Sequence, residues 1–197
     1  MVTVSTAKYH TTDMNPTYRF QFCKDCEEVS PPRAYHCDIC KKCVLRMDHH
    51  CPWVGTCIGL LNYKFYWQFL LYTTLSLLLL LVTVLVGGGY PVLAVVSGIF
   101  LFDFIVLLTI QTSYVLQNKT ASDVKQLKGE YDIFREKTKY ENLEQVFTSN
   151  IATWLLPIGT PNVKQALDYG ANISAGGLIR KPEASSQLNS SFKLQAV

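Results

Sequence analysis

Charge is scarce in this chain. Only 17% of its 197 residues are Asp, Glu, Lys or Arg, and the formal net charge is +3. No long basic stripe occurs, so nucleic acid is not expected as a partner. Between Phe65 and Leu116 the only formally charged residue is Asp103, a gap that a uniform soluble globule does not leave. Disorder throughout is excluded as well, since 49% of the residues are hydrophobic. Cysteine is missing before Cys23 and after Cys57. No apolar leader precedes the cysteines and their number is odd, so neither an oxidising compartment nor a complete disulfide framework is expected. The chain closes without a prenylation box or retention signal, and no internal repeat is read from it.

What is present is concentrated. All seven cysteines fall between positions 23 and 57, together with three of the four histidines, His36, His49 and His50. The spacings Cys23-x2-Cys26, Cys37-x2-Cys40 and Cys40-x2-Cys43 suit chelation, because two thiolates on a tight turn can meet one tetrahedral zinc. Cysteines packed as small hydrophobes are a poor alternative in a segment so rich in Lys, Asp and Arg. Two closed tetrahedral sites take four ligands each, and ten candidates are on offer, seven Cys and three His. Two are therefore spare. A nucleophilic cysteine needs a base beside it and an acidic group to orient that base, and Asp48, His49 and Cys51 form the local set that supplies all three. His50 and Cys57 can then complete a metal site. For Asp48 the plain structural use is a helix or turn cap, and for His49 an alternate metal ligand.

The stretch from Cys23 to Phe65, CKDCEEVSPPRAYHCDICKKCVLRMDHHCPWVGTCIGLLNYKF, resembles the cysteine-rich domain of the DHHC protein S-acyltransferases (palmitoyltransferases). The resemblance implies one zinc on Cys23, Cys26, His36 and Cys43 and another on Cys37, Cys40, His50 and Cys57. Both zincs would be structural, with four protein ligands and no open position. It further implies that Cys51 carries an acyl chain taken from palmitoyl-coenzyme A and passes it to cysteines of protein substrates. His49 would then be the base and Asp48 its orienting partner. A RING-type cross-brace is set aside, since it would end in another Cys-x2-Cys, whereas Cys51-x5-Cys57 stands here. No residue set is read for holding coenzyme A. Arg33, Lys41, Lys42 and Lys64 can meet its phosphates or anionic headgroups, but each taken alone reads as a solvated surface charge. Trp53 reads as a packing or interfacial residue beside the nucleophile.

The membrane follows from residue pattern. Asn62-Tyr63-Lys64-Phe65-Tyr66-Trp67 is an aromatic and basic belt of the kind found at headgroup level. Residues 65–86 carry no charge, and at about 1.5 Å per residue they cross a bilayer core of roughly 30 Å. Gly87-Gly88-Gly89-Tyr90-Pro91 breaks the helix, and residues 92–116 form a second apolar run. The pair reads as an antiparallel hairpin. The glycine turn has no Lys or Arg, while Arg46, Lys64, Lys119, Lys125 and Lys128 flank the outer ends. The positive-inside rule then puts the zinc domain and the C-terminus in the cytosol of a Golgi, ER or plasma membrane. Asp103, mid-span, is expected to meet a partner or cavity or to sit protonated against another helix. Gln111, Thr109 and Thr112 are expected to hydrogen-bond other helices.

The organisation expected is a polar segment at 1–22, the zinc domain at 23–64, two transmembrane helices within 65–117 (about 65–86 and 92–116), a partly amphipathic cytosolic region at 118–169, and a disordered tail at 170–197. In fold class this is a polytopic α-helical membrane protein. It joins a small cytosolic two-zinc cysteine-rich domain of little regular structure to a transmembrane hairpin and a cytosolic tail. Residues 150–158 read as an apolar segment lying in the membrane interface. By the resemblance, Thr120-Ala121-Ser122-Asp123 stands for a Thr-Thr-x-Glu motif that docks the tail on the active site, with one Thr lost and Glu shortened to Asp, so weaker docking is expected. Asn142 would be a buried hydrogen-bonding residue of the C-terminal element. The family carries two more spans ahead of its zinc domain, and residues 1–22 hold no apolar run. The alternative reading is therefore a catalytically inactive zinc-binding membrane adaptor or subunit, with a partner supplying the extra helices.

Overall fold

The computed structural model describes residues 21–30, 33–127 and 138–159. Most of the polar segment, the tail from 170 onward and part of the region between 118 and 169 lie outside the described residues. Three two-stranded antiparallel hairpins come first: β1 (Gln21–Cys23) with β2 (Glu28–Ser30), β3 (Tyr35–Cys37) with β4 (Lys42–Val44), and β5 (His49–Cys51) with β6 (Thr56–Ile58). Then follow the long helices α1 (Tyr63–Val86) and α2 (Pro91–Leu116), the short α3 (Ala121–Leu127), α4 (Lys139–Phe147) and a 3-10 turn at Ile151–Thr153.

The hairpins correct the expectation that the chain has no internal repeat and that the zinc domain has little regular structure. Their first strands begin at residues 21, 35 and 49 and their second strands at 28, 42 and 56, a period of 14 in both series. Cys23, Cys37 and Cys51 each end a first strand, and four residues on the turn closes through a left-handed residue: Glu27 (φ 54°), Lys41 (φ 52°) and Gly55 (φ 68°). The repeat is hard to read in the sequence because its side chains change role from copy to copy. Cys26 and Cys40 correspond to Val54, and beyond the cysteine that ends each first strand it is mainly backbone geometry that repeats throughout.

Gly59 is where the last hairpin turns toward α1. A Cβ there would lie 2.7 Å from Val44 Cγ1 and 2.8 Å from the Leu45 carbonyl oxygen, closer than packed atoms approach. Asn62 then stitches the corner, accepting from Gly59 N at 2.8 Å and donating to the Cys57 carbonyl at 2.9 Å.

The helices α1 and α2 are each long and apolar enough to cross a membrane, and they run antiparallel. Gly88 takes a left-handed φ of 66° in the turn between them, and Pro91 starts α2 where no amide donor is needed. Leu75, Leu79, Ile99 and Phe102 are among many large apolar side chains left exposed, as lipid contact requires. Trp67 Nε1 donates to Thr112 Oγ1 at 2.9 Å across the pair, while Thr109 Oγ1 is turned back to its own helix at the Ile105 carbonyl, 2.7 Å away. Asp103 is exposed on the surface of α2, so the structure does not place it against α1.

The apolar core sits where the last hairpin meets the ends of the helices remote from the glycine turn. Cys51 and Ile58 pack with Tyr63, Tyr66 and Leu70 of α1, Val115 of α2, and Val146 and Phe147 of α4. A capping box between Thr138 and Glu141 starts α4. Buried Asn142 of α4 donates to the Leu116 carbonyl at 2.9 Å, satisfying one of the carbonyls that the end of α2 leaves open.

Candidate metal and thiol site

Strand geometry sorts the ligands. Successive residues on a strand point to opposite faces, so His36 and Cys37 on β3 serve different clusters. One cluster gathers Cys23, Cys26, His36 and Cys43, and the other Cys37, Cys40, His50 and Cys57, the ligand atoms of each lying within 4.8 Å of one another. Each of the first two hairpins thus lends its Cys-x2-Cys turn to one cluster, and the following hairpin closes that cluster with its His and its second-strand Cys. His36 and Cys43 face each other across β3 and β4, as His50 and Cys57 do across β5 and β6.

The distances suit a tetrahedral ion. Metal–sulfur bonds of about 2.3 Å and metal–nitrogen bonds of about 2.0 Å put ligand atoms roughly 3.5–3.8 Å apart. His36 Nδ1 lies 3.5 Å and 3.2 Å from Cys23 and Cys26 Sγ, and Cys43 Sγ lies 3.8 Å from Cys26 Sγ. In the second cluster His50 Nδ1 lies 3.7, 3.3 and 3.6 Å from the sulfurs of Cys37, Cys40 and Cys57, and Cys57 lies 3.5 Å from Cys40. Burial and crowding by other sulfurs push the Cys43 thiol up to about 12 and the Cys57 thiol up as well. Burial also opposes ionisation of Cys23 and Cys37, but backbone amides of their turns outweigh it and pull those thiols down. A cation between the sulfurs resolves the conflict, so both clusters could bind metal ions, consistent with two zinc sites.

The same alternation separates His50 from its neighbours. Facing away from His50, His49 and Cys51 share the other side of β5. Asp48, 1% exposed, accepts His49 Nδ1 on Oδ2 at 2.7 Å. Burial works against charge on the His49 imidazole, yet the Asp48 hydrogen bond and the adjacent Cys51 sulfur raise it above the ordinary histidine range. His49 also packs edge-on against Tyr66 at 5.2 Å between ring centroids. Cys51 is 3% exposed, at the edge of the apolar core that continues between the helices.

Asp48 is held from several directions. Gln111 Nε2 of α2 donates to its Oδ2 at 3.1 Å, and Tyr63 OH of α1 donates in turn to Gln111 Oε1. The Ala121 amide donates to Oδ1 at 2.8 Å, so Asp48 also caps α3 from outside the helix. Both uses weighed for Asp48 are thereby present in one carboxylate. Position 111 was expected to bond another helix and does so, but its link to Asp48 across 63 residues has no signature in sequence.

The segment after α2 docks on the metal domain through hydrogen bonds and an ion pair. Thr120 Oγ1 donates to the Met47 carbonyl at 2.8 Å and Ser122 Oγ to the Asp48 carbonyl at 2.7 Å. Asp123, fully buried, pairs with Arg33 at 2.6 Å and accepts Tyr35 OH at 3.0 Å. The shorter side chain reaches because Arg33 extends to it, bonding Asn118 on the way. Arg46 adds a further bond to Asn118 Oδ1 at 3.1 Å, and burial beside Arg33 lowers its guanidinium to about 10. Arg33 and Lys64 are therefore not solvated surface charges. Lys64 is 1% exposed and donates to the Thr153 and Ile158 carbonyls at 2.8 and 2.7 Å. Lys41 remains exposed. Trp53, at 91% exposure, is not a packing residue within this chain.

Comparison with known proteins agrees with the site. The family described as DHHC palmitoyltransferase matches residues 16–91. A probable protein S-acyltransferase 12 of Arabidopsis thaliana is 34% identical over 165 residues, covering 75% of this chain and 57% of that protein. Palmitoyltransferase ZDHHC15 of Rattus norvegicus is 35% identical over 160 residues, 71% of this chain and 47% of the relative. Palmitoyltransferase pfa3 of Emericella nidulans is 53% identical over 68 residues, 34% of this chain and 13% of the relative. The chain spans about half the length of the first two.

Proposed function

We propose that the chain, which carries a domain at residues 16–91 matching the DHHC palmitoyltransferase family, transfers a long-chain acyl group, palmitoyl, from acyl-coenzyme A to protein cysteines through a Cys51 acyl-enzyme. The observation that carries the reading is the Asp48–His49 hydrogen bond of 2.7 Å beside a buried cysteine that belongs to neither metal cluster.

In the first step Cys51 gives its proton to His49, and its sulfur attacks the thioester carbonyl. The carbon–sulfur bond to coenzyme A breaks, and the departing thiolate takes the proton back from His49. In the second step a substrate cysteine gives its proton to His49 and attacks the Cys51 thioester. Cys51 leaves as thiolate and recovers the proton. Bond count is unchanged in each exchange, so the work is proton handling. Asp48 fixes the tautomer with Nδ1 protonated, turning Nε2 toward sulfur, and offsets the charge on the imidazolium. Gln111 and Ala121 keep the carboxylate from rotating away. The two ligand sets named above would hold zinc ions, which would brace the hairpins that present β5.

Placement at the bilayer follows from the acyl chain. Burying about fourteen methylenes at about 0.8 kcal/mol each amounts to roughly 11 kcal/mol, and Cys51 adjoins Tyr66 and Leu70 of α1 and Val115 of α2. The hairpin returns α3 and α4 to the face that carries the metal domain, and the Lys and Arg distribution puts that face in the cytosol, where thiols stay reduced. Substrates are proteins that present cysteines near that surface.

The test is acyl-enzyme formation by the purified chain, zinc retained, in nanodiscs with labelled palmitoyl-coenzyme A. Hydroxylamine-labile label is expected on the wild type and absent from Cys51→Ser. His49→Ala should keep two metals and lose about 10²–10⁴ in the rate of labelling. Wild type without label, two metals bound, would overturn the enzyme reading in favour of an inactive adaptor or a subunit that needs another chain's helices.

A further inference from the structure

Among the described residues three tyrosines are buried, Tyr35, Tyr63 and Tyr66. A buried tyrosine ordinarily gives its hydroxyl a partner, because losing water without a replacement costs free energy. Tyr35 donates to Asp123 and Tyr63 to Gln111. Tyr66, at 8% exposure, bonds no protein atom through its hydroxyl among the described residues. Its oxygen is not sealed in protein either: the buried polar side-chain atoms without a partner belong to His36, Arg46, Gln68, Asn142 and Gln145. The Tyr66 hydroxyl is thus both uncommitted and reachable.

Its position is beside the nucleophile. The ring meets His49 edge-on at 5.2 Å and packs in the same apolar cluster as Cys51, and the hydroxyl lies within electrostatic reach of the Cys51 sulfur and the Asp48 carboxylate. Tyr66 sits in the first turn of α1, where its amide donates to the Asn62 carbonyl at 3.0 Å, so a rigid element carries it rather than a loop. The turn after Cys51 has few donors to offer by contrast. Pro52 has no amide hydrogen, and the amides of Val54 and Gly55 already end on the Cys51 carbonyl at 3.3 and 2.9 Å. His49 Nδ1 is held by Asp48, which leaves Nε2 for the sulfur's proton. Attack on a thioester at Cys51 gathers negative charge on the carbonyl oxygen, and a fixed donor aimed at that oxygen is worth most where water is excluded.

We propose that the Tyr66 hydroxyl is the oxyanion donor of the thioester exchange, a catalytic residue additional to Cys51, His49 and Asp48. The inference rests on the Cys51 acyl-enzyme reading and deepens it. As the Cys51 sulfur bonds to the thioester carbon, the carbonyl π pair moves onto oxygen, and Tyr66 donates a hydrogen bond to that oxygen while keeping its proton. The pair returns as the carbon–sulfur bond to coenzyme A breaks, and the departing thiolate takes its proton from His49. The carbonyl oxygen then belongs to the Cys51 thioester, so the same donor serves again when a substrate cysteine attacks.

The experiment uses Tyr66→Phe, which keeps the ring against His49 and removes one oxygen. The full chain, in nanodiscs with its metals retained, is mixed with saturating labelled palmitoyl-coenzyme A, and the single-turnover rate of acyl-enzyme formation is read. The variant is expected to be slower by about 10²–10³-fold, with two metals still bound. A second readout separates the carbonyl oxygen from the sulfur. Iodoacetamide alkylates Cys51 by displacement at a saturated carbon and develops no charge on a carbonyl oxygen, so its rate, mapped by mass spectrometry, should be the same in variant and wild type. Acylation of Tyr66→Phe at the wild-type rate overturns the assignment and leaves the acyl-enzyme reading standing. Alkylation slowed as much as acylation also overturns it, because the hydroxyl would then act on the sulfur and its base. A wild type that takes no label removes the acyl-enzyme and the donor role together.

Discussion

The metal domain and the helical hairpin reach stability by opposite means. The domain has three hairpins whose strands are three residues long, too short to stand in water without help, and its apolar cluster is small: Tyr35, Cys37, Met47 and Cys57, with Cys40 and Val44 against it. Two clusters of candidate metal ligands and a set of buried charges stand where a larger core would. The hairpin has almost no charge and exposes its apolar surface, so lipid takes the place of one. Small domains that cannot bury enough surface need another source of free energy, and the two halves of this chain are built for different ones.

Metal removal should separate the two halves most. Structural zinc is worth about 10–16 kcal/mol, so a chelator, or Cys43→Ala for the first site, should unfold the domain and leave the helical circular dichroism of α1 and α2. Cys51→Ser should keep both metals by elemental analysis. Loss of helix together with metal would break the division.

Asp123→Ala comes next. It leaves Arg33 buried without its carboxylate, an effect of about 3–5 kcal/mol, read as a lower denaturation midpoint of the metal domain. Gln111→Leu acts on the seam between the halves. Asp48 loses a donor and Tyr63 its acceptor, about 1–3 kcal/mol, and acyl-enzyme formation should slow while metal content holds. An unchanged rate would show that the α2 contact does not steady Asp48. Trp53→Ala should be smallest, within about 0.5 kcal/mol in the same denaturation assay, because its side chain touches so little of the domain.

Much of this was legible beforehand for a simple reason. Metal ligands, a nucleophile with its base, and membrane spans are all written locally, in spacing and in runs. The grouping of eight ligands into two clusters by the structure coincides with the one the family resemblance implied, and Asp48 and His49 are neighbours in any fold. Other features lie between residues far apart. Arg33 and Asp123 meet across 90 positions, and Lys64 and Ile158 across 94. Read singly, Arg33 and Lys64 are surface charges, because nothing nearby in sequence announces a buried partner.

The hairpin repeat lies between these cases. Its period of 14 is a backbone property, hidden because only some copies keep the ligating side chains. At the third copy Cys51 occupies the position whose cysteine joins a candidate metal cluster in the first two, but Val54 stands where Cys26 and Cys40 stood and no fourth hairpin follows among the described residues. The sequence by itself determined which atoms could ligate, react or enter lipid, since those capacities belong to side chains. Only the tertiary structure decided which cations were buried, and that Gln111 of α2 would reach the Asp48 carboxylate. Those outcomes depend on strand alternation and on helix ends meeting the last hairpin, and no local stretch of chain encodes either.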